Sequence, residues 1–177
     1  MAKAYAWWGV LMAVTIRLME KRDTEEVRKV ARATWHHTYE GIIPERVRTR
    51  FLDAFYNDEA ILRRMTGSIL LVAEREDGIV GFANFFSSRR DPSEAELGAI
   101  YILPEAQGGG IGTLLLQEGI GRLRLQGATR LLANVERSNR KGLSFYEAKR
   151  FKASGEKEEL FYGYALRTVQ MKLDLAD

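Results

Sequence analysis

The chain is predicted to adopt an α/β (α+β) fold. A single domain would carry helices on both faces of a mixed, mostly antiparallel sheet of about seven strands. Three observations predict this. Segments of period two and of period near 3.6 alternate as strand, two or three helices, a three-strand meander, helix, strand, helix and two strands. The 177 residues suit one domain with a sizeable core, and no repeat or low-complexity linker divides them. The 46% hydrophobic and 29% charged content is ordinary for a globular chain.

Residues 1–13 read as an N-terminal extension before a domain spanning 14–177. They hold Trp7, Trp8 and a short apolar run, without the small-residue cleavage pattern of a signal peptide. Met12 is an alternative start, and the tryptophans suit a contact with a neighbouring subunit. Thr15–Met19 alternates and reads as the first strand. Asp23 with Glu26 three residues on looks like a capping box, opening a helix to about Tyr39. Gly41 ends it, and Pro44 opens a second helix through about Tyr56. Asp58 should cap a third piece that Gly67 closes.

Ser68–Glu74 is an apolar strand, Asp77-Gly78 a hairpin turn, and Ile79–Ser87 the partner strand. A polar loop, Arg89–Ser93, leads to a strand at Glu94–Ile102. A helix from Gly110 to about Gln126 follows, capped by Gly127. Arg130–Glu136 is a further strand. Ser138 or Asn139 caps a short helix through Lys149. Two strands close the chain, near Lys152–Leu160 and Arg167–Leu173.

Several function classes are excluded. Without cysteine there is no disulfide, thiolate metal site or Cys nucleophile, which is compatible with the cytoplasm. His36 and His37 are adjacent on a helix pattern, about 100° apart, and make poor joint metal ligands, so no metal is expected. A net charge of +3 is too mild to argue for nucleic acid. No apolar run is long enough to span a bilayer as a helix.

The chemistry concentrates between Glu96 and Gly112. An apolar strand ends in Ile102-Leu103-Pro104, and Gln107-Gly108-Gly109-Gly110-Ile111-Gly112-Thr113 then feeds a helix. Strand, glycine turn and helix N-terminus form a device for holding phosphate. The backbone approaches the oxygens closely, and the free N–H groups and the helix dipole point at them. The loop lacks the Lys of a Walker motif, and its glycines miss the Gly-x-Gly-x-x-Gly dinucleotide spacing.

What remains, Gln107-x-x-Gly110-x-Gly112 after that strand, resembles the pyrophosphate loop of the GCN5-related N-acetyltransferases (GNAT), which bind acetyl-CoA. The element order is similar to theirs from about Thr15 to Leu173. The resemblance implies that the two central strands splay apart and admit the pantetheine arm. It implies cofactor contacts from the loop, from the backbone of Ile102 or Leu103 as oxyanion donor, and from Asn139. Lys149 suits either a pairing with a CoA phosphate or an exposed surface position.

Asn139 to Phe151 resembles the family's second motif, in which Tyr146 matches the general acid that protonates the thiolate. Gly142 stands where Ala is usual, and Arg150 stands where Gly is usual, so the helix exit is expected to differ. Tyr146 also suits a core aromatic beside Phe145. Glu96, flanked by apolar residues on the strand presenting the acetyl group, is the candidate base, though it also fits a solvated strand-end carboxylate beside Glu94, and Glu136 is its weaker rival. Trp35 to Pro44 resembles a Trp-x-x-Thr-Tyr-x-Gly-Ile-x-Pro pattern seen in many small-molecule acetyltransferases. Trp35, Tyr39 and Glu40 are thus candidates to cradle a cationic amine. The same spacing of Trp35 and Tyr39 also fits a core stripe.

The resulting expectation is acetyl transfer from acetyl-CoA to a primary amine of a small molecule, polyamines included, by a homodimer without membrane or nucleic-acid partners. A protein N-α or lysine acetyltransferase and a non-catalytic acyl-CoA sensor are the alternatives.

Overall fold

A computed structural model of the chain describes residues 3–5 and 13–176. Trp7, Trp8 and Met12 lie outside the described residues. The strands are β1 (Lys3–Tyr5), β2 (Val14–Leu18), β3 (Ile69–Arg75), β4 (Gly78–Ser87), β5 (Glu94–Ile102), β6 (Arg130–Glu136), β7 (Lys152–Phe161) and β8 (Tyr164–Asp174). The helices are α1 (Thr24–Tyr39), α2 (Glu45–Phe55), α3 (Asp58–Gly67), α4 (Ile111–Leu125) and α5 (Arg140–Ala148).

The strands form one mixed sheet in the order β1-β2-β3-β4-β5-β6-β8-β7. Strands β2 to β8 are the seven expected. The three-residue β1, within the expected extension, adds antiparallel to β2. Among the described residues only β5 and β6 run parallel, and every other pair is antiparallel. The parallel pair follows from the α4 crossover between them.

Helices cover both faces because β3 is apolar from Ile69 to Ala73 and sends alternate residues to each. Leu71 and Ala73 join a core with Ile111, Leu115 and Leu123 of α4. Leu70 and Val72 join a second core with Val27, Val30 and Trp35 of α1 and Leu52 of α2. Among the described residues no helix is long and apolar enough to cross a membrane.

Two expected caps are built differently. The Asp23 side chain does not cap α1. It accepts the Arg17 guanidinium at 2.6 and 2.9 Å and the Glu20 N–H at 2.8 Å. Burial works to raise the Asp23 carboxyl, but the Arg17 and Glu20 hydrogen bonds outweigh it and hold it below the usual range. A buried carboxylate gains more from a guanidinium than from one amide. Glu26 Oε2 instead accepts the Ile79 N–H at 2.7 Å, tying α1 to the start of β4. In α3 it is Asn57, not Asp58, that caps, accepting the Ala60 N–H at 2.9 Å.

Helix α4 ends as expected at Gly127, with φ of +86° and the Ala128 N–H donating to Leu123 O at 3.0 Å. β8 begins at Tyr164 rather than Arg167. Tyr162 and Gly163, at φ of +49° and +78°, make a two-residue turn that keeps both strands paired to its edge.

Candidate active site

The parallel ladder between β5 and β6 ends at Leu97 and Ala133, although the strands run on to Ile102 and Glu136. Beyond that point they diverge and open a cleft of about 660 Å³. A bulge starts the divergence. Asn84 pairs with Ala99 and Phe85 with Leu97, leaving Gly98 as the extra residue.

The bulge also decides which backbone groups face the cleft. Leu103 N–H donates to Val80 O at 2.9 Å and is not available as an oxyanion donor. By the alternation of an antiparallel ladder, the N–H groups of Ile100 and Ile102 point the other way, toward the gap. Of the two expected donors Ile102 therefore remains, and Ile100 joins it. Strand alternation counted from a known β4 partner would have found Ile100, but that register is not written in the local sequence.

The glycine loop closes one end of the cleft. Gly110, the N-cap of α4, has φ of +79° and no capping side chain. The first bond into the helix is Leu114 N–H to Gly110 O at 3.1 Å, so the N–H groups of Ile111, Gly112 and Thr113 are left for a ligand. A Cβ on Gly112 would stand 3.1 Å from Ile102 Cδ1 and 3.2 Å from Phe145 Cε2, which explains glycine there. Gly108 faces the cleft with φ of +83°, whereas Gly109 does not line it. Gln107 is a brace as well as a lining residue. Its Nε2 donates to Ile102 O at 2.9 Å, and its Oε1 accepts from Lys141 Nζ. Lys141 and Arg140 line the cleft with Lys149. Reading the motif Asn139 to Phe151 for aromatics passed over these first two cations.

Asn139 caps α5, its Oδ1 accepting the Gly142 N–H at 2.9 Å, and also lines the cleft. The unpaired helix amides, the left-handed glycines and the three cations on one wall suit an anionic nucleotide cofactor.

Tyr146 lines the same cleft and is buried. No described residue hydrogen-bonds its hydroxyl. Burial first, and then the phenols of Tyr101 and Tyr39, push it well above the ordinary range, so it stays protonated at neutral pH. Its ring is fixed edge to face by Phe145 and Phe151, at 5.4 and 5.1 Å. The exit of α5 keeps the left-handed form despite the missing glycine. Arg150 itself takes φ of +67°.

At the other end, Trp35 and Tyr39 form a wall, with ring centroids 4.6 Å apart. Trp35 Nε1 donates to Tyr101 Oη at 2.9 Å and its ring stacks on Phe51 at 4.1 Å. Trp35 thus packs in the core on one side and lines the cleft on the other. Tyr39 is raised well above the ordinary phenol range, by burial first and then by Tyr101 and Glu136. Glu40 is exposed and outside the cleft.

Glu96 does not have the apolar surroundings expected of it. Ala95 and Leu97 turn into the core, so Glu96 projects to the opposite, exposed face. Its Oε1 accepts Asn134 Nδ2 at 3.2 Å, and Asn134 lines the cleft. Its rival Glu136 is buried, and its Oε2 accepts the Ser138 N–H at 2.7 Å.

Comparison with known proteins agrees with this geometry. Residues 27–151 match the family model described as the acetyltransferase (GNAT) family. The chain is 29% identical over 147 residues to a spermidine N(1)-acetyltransferase of Thermoplasma acidophilum, covering 80% of this chain and 89% of that protein. It is 33% identical over 138 residues to the uncharacterized N-acetyltransferase YuaI of Bacillus subtilis, covering 76% and 78%. A crystal structure of the PaiA N-acetyltransferase of T. acidophilum in complex with coenzyme A superimposes with a TM-score of 0.77 at 27% identity. That match covers 92% of this chain and 99% of the other. With the splayed strands, the glycine loop and Tyr146 in one cleft, the chain belongs to the GNAT acetyltransferase family and is an acetyl-CoA-dependent N-acetyltransferase.

Proposed function

We propose that this protein acetylates a primary amine of a small molecule, with polyamines as the leading acceptor class, by direct attack of the amine on acetyl-CoA. One observation carries the reading. A single cleft joins the glycine loop, Tyr146 and the aromatic wall of Trp35 and Tyr39. Aromatic faces suit an amine that arrives as a cation. A relative that is a spermidine acetyltransferase supports the same class.

The residues divide the work. Gln107, Gly108, Gly110, Ile111, Gly112 and Thr113 bind the phosphates through backbone groups, and Asn139 and Lys149 hold the arm from the α5 side. Gly109 contributes from the outer side of the loop, between the left-handed Gly108 and Gly110. The N–H groups of Ile100 and Ile102 meet the pantetheine and the thioester oxygen, where negative charge develops. Acetyl-CoA supplies the activated acyl group.

In the reaction the N–C bond forms as the C–S bond breaks. The ammonium loses two protons; one ends on the CoA sulfur and one in solvent. Tyr146, protonated at rest, gives its proton to the leaving sulfur and takes back the second proton released by the nitrogen. Glu96 takes the first proton through water at the mouth of the cleft, using its contact to Asn134. Glu40 lies near the end of α1 and attracts the distal charge of a long cation.

Residues 14–177 form the catalytic domain in this reading. A homodimer in the cytoplasm completes it. The ten-residue edge strand β7, paired on one side only, offers a second copy a surface, and the cysteine-free chain suits a reducing compartment. The test is a panel of mono-, di- and polyamines against peptides with free N-termini or lysines, read by thiol release from acetyl-CoA. Turnover is expected for free amines. Turnover confined to peptides would replace the acceptor class, and CoA binding without turnover on any amine would indicate a sensor.

A further inference from the structure

Arg75 ends β3 at the turn into β4. It is the one part-buried guanidinium near the cofactor loop that no described residue satisfies. Its Nε is buried with no hydrogen-bond partner, and among the described residues no carboxylate pairs with it. The Nε atoms of Arg28, Arg48 and Arg130 are likewise unpartnered, but each of those guanidiniums holds a group through another nitrogen: Asp58, the His36 carbonyl and Asp91 respectively. Arg75 is half-buried, and burying its Nε without a partner is unfavourable unless an anion arrives to meet the guanidinium.

The position of Arg75 says which anion. Its Nη2 lies 3.9 Å from where a Cβ on Gly109 would stand. Gly109 is the loop glycine that does not line the cleft, while its neighbours Gly108 and Gly110 do. The guanidinium therefore sits against the outer flank of the loop. The loop itself carries no charged side chain from Gln107 to Thr113. The cations that line the cleft, Arg140, Lys141 and Lys149, all come from α5 or its C-cap.

The nucleotide end of coenzyme A carries two phosphate groups in different places, a diphosphate and a 3′-phosphate on the ribose. The inward amides of α4 suit the diphosphate. We propose that Arg75, outside the cleft on the Gly109 flank of the loop, binds the 3′-phosphate. A guanidinium suits a terminal phosphate, since its fork matches two oxygens at once. Arg75 thus makes the enzyme discriminate coenzyme A from its 3′-dephospho form. This rests on the reading of the glycine loop as the cofactor site.

Isothermal titration of wild type and R75Q with coenzyme A and with 3′-dephospho-coenzyme A tests the proposal. Wild type should bind coenzyme A more tightly than the dephospho form. R75Q should lose about tenfold or more for coenzyme A, with no change for the dephospho form, as for one lost charge-assisted contact. R75K should fall between, because a point charge remains without the fork. Ligand-free melting temperatures confirm that each variant is folded. Equal losses for both ligands, or no loss for either, would overturn the assignment to the 3′-phosphate. Failure of the wild type to bind either ligand would refute the cofactor reading beneath it.

Discussion

The backbone N–H of Phe151 donates to the carbonyl of Tyr146 at 3.0 Å, and the two rings meet edge to face at 5.1 Å. With Arg150 N–H on Glu147 O at 2.9 Å, this is a Schellman closure of α5 built on a left-handed arginine. The helix end thereby sets the angle of the proposed acid.

Arg150→Gly should relieve the left-handed strain. A gain of about 1 kcal/mol is expected, a little less than the full penalty because glycine also loosens the unfolded chain. Thermal melting should show a rise of about 2–4 °C, with kcat unchanged because the Tyr146 ring keeps both neighbours. Phe151→Ala should instead lower kcat along with stability. A fall in Tm for Arg150→Gly would mean that the Arg150 side chain, not the turn, holds the exit.

Tyr146→Phe should lower kcat about 10²-fold with little change in acetyl-CoA affinity, as for a lost proton donor. Burial and the neighbouring phenols raise Tyr146, so its donor form persists to higher pH than that of a free tyrosine. The wild-type rate should therefore show no descending limb from Tyr146 below about pH 10. A descending limb near pH 8 or 9 that disappears in Tyr146→Phe would show that the hydroxyl ionises there.

Gly110 separates backbone strain from charge in the cofactor loop. A Cβ at Gly110 meets nothing within 4 Å, so Gly110→Ala suffers only from φ of +79°, about 1–2 kcal/mol. Gly110→Asp adds a carboxylate beside the phosphates and should weaken coenzyme A binding far more than the alanine does. Calorimetric affinities that match between the two variants would sink the phosphate-loop role. Gly112 is a poorer choice, because its Cβ would press on Ile102 and Phe145.

Glu96→Gln keeps the strand and its contact to Asn134 while removing a proton acceptor. The reaction should then draw on acceptor already neutral in solution, about 0.1% at pH 7 for an amine near pKa 10. Its kcat/KM should climb about tenfold per pH unit toward that pKa, while the wild type levels off earlier. Parallel profiles at similar rates would pass the role of base to Glu136 or to a water chain.

Much of this was legible in the residues themselves. The strand run into Ile102, the loop Gln107 to Thr113 and the apolar period of α4 lie within about 30 consecutive positions, where period and turn chemistry act locally. Asn139 and Tyr146 were legible for the same reason, since cap and ring lie on one short helix. What the tertiary structure alone decided are the pairings across the sheet. Leu103 is removed as a donor by Val80, Glu26 is taken by Ile79, and Glu96 is turned outward by the packing of Ala95 and Leu97. Arg75 meets the loop at Gly109, although 34 positions separate them. Each of these depends on strand register, and a shift of one residue reverses every side chain and every N–H along a strand. Register is fixed by the fit of the two cores against the sheet, so the local sequence carries the chemistry but not which of its groups stay free to perform it.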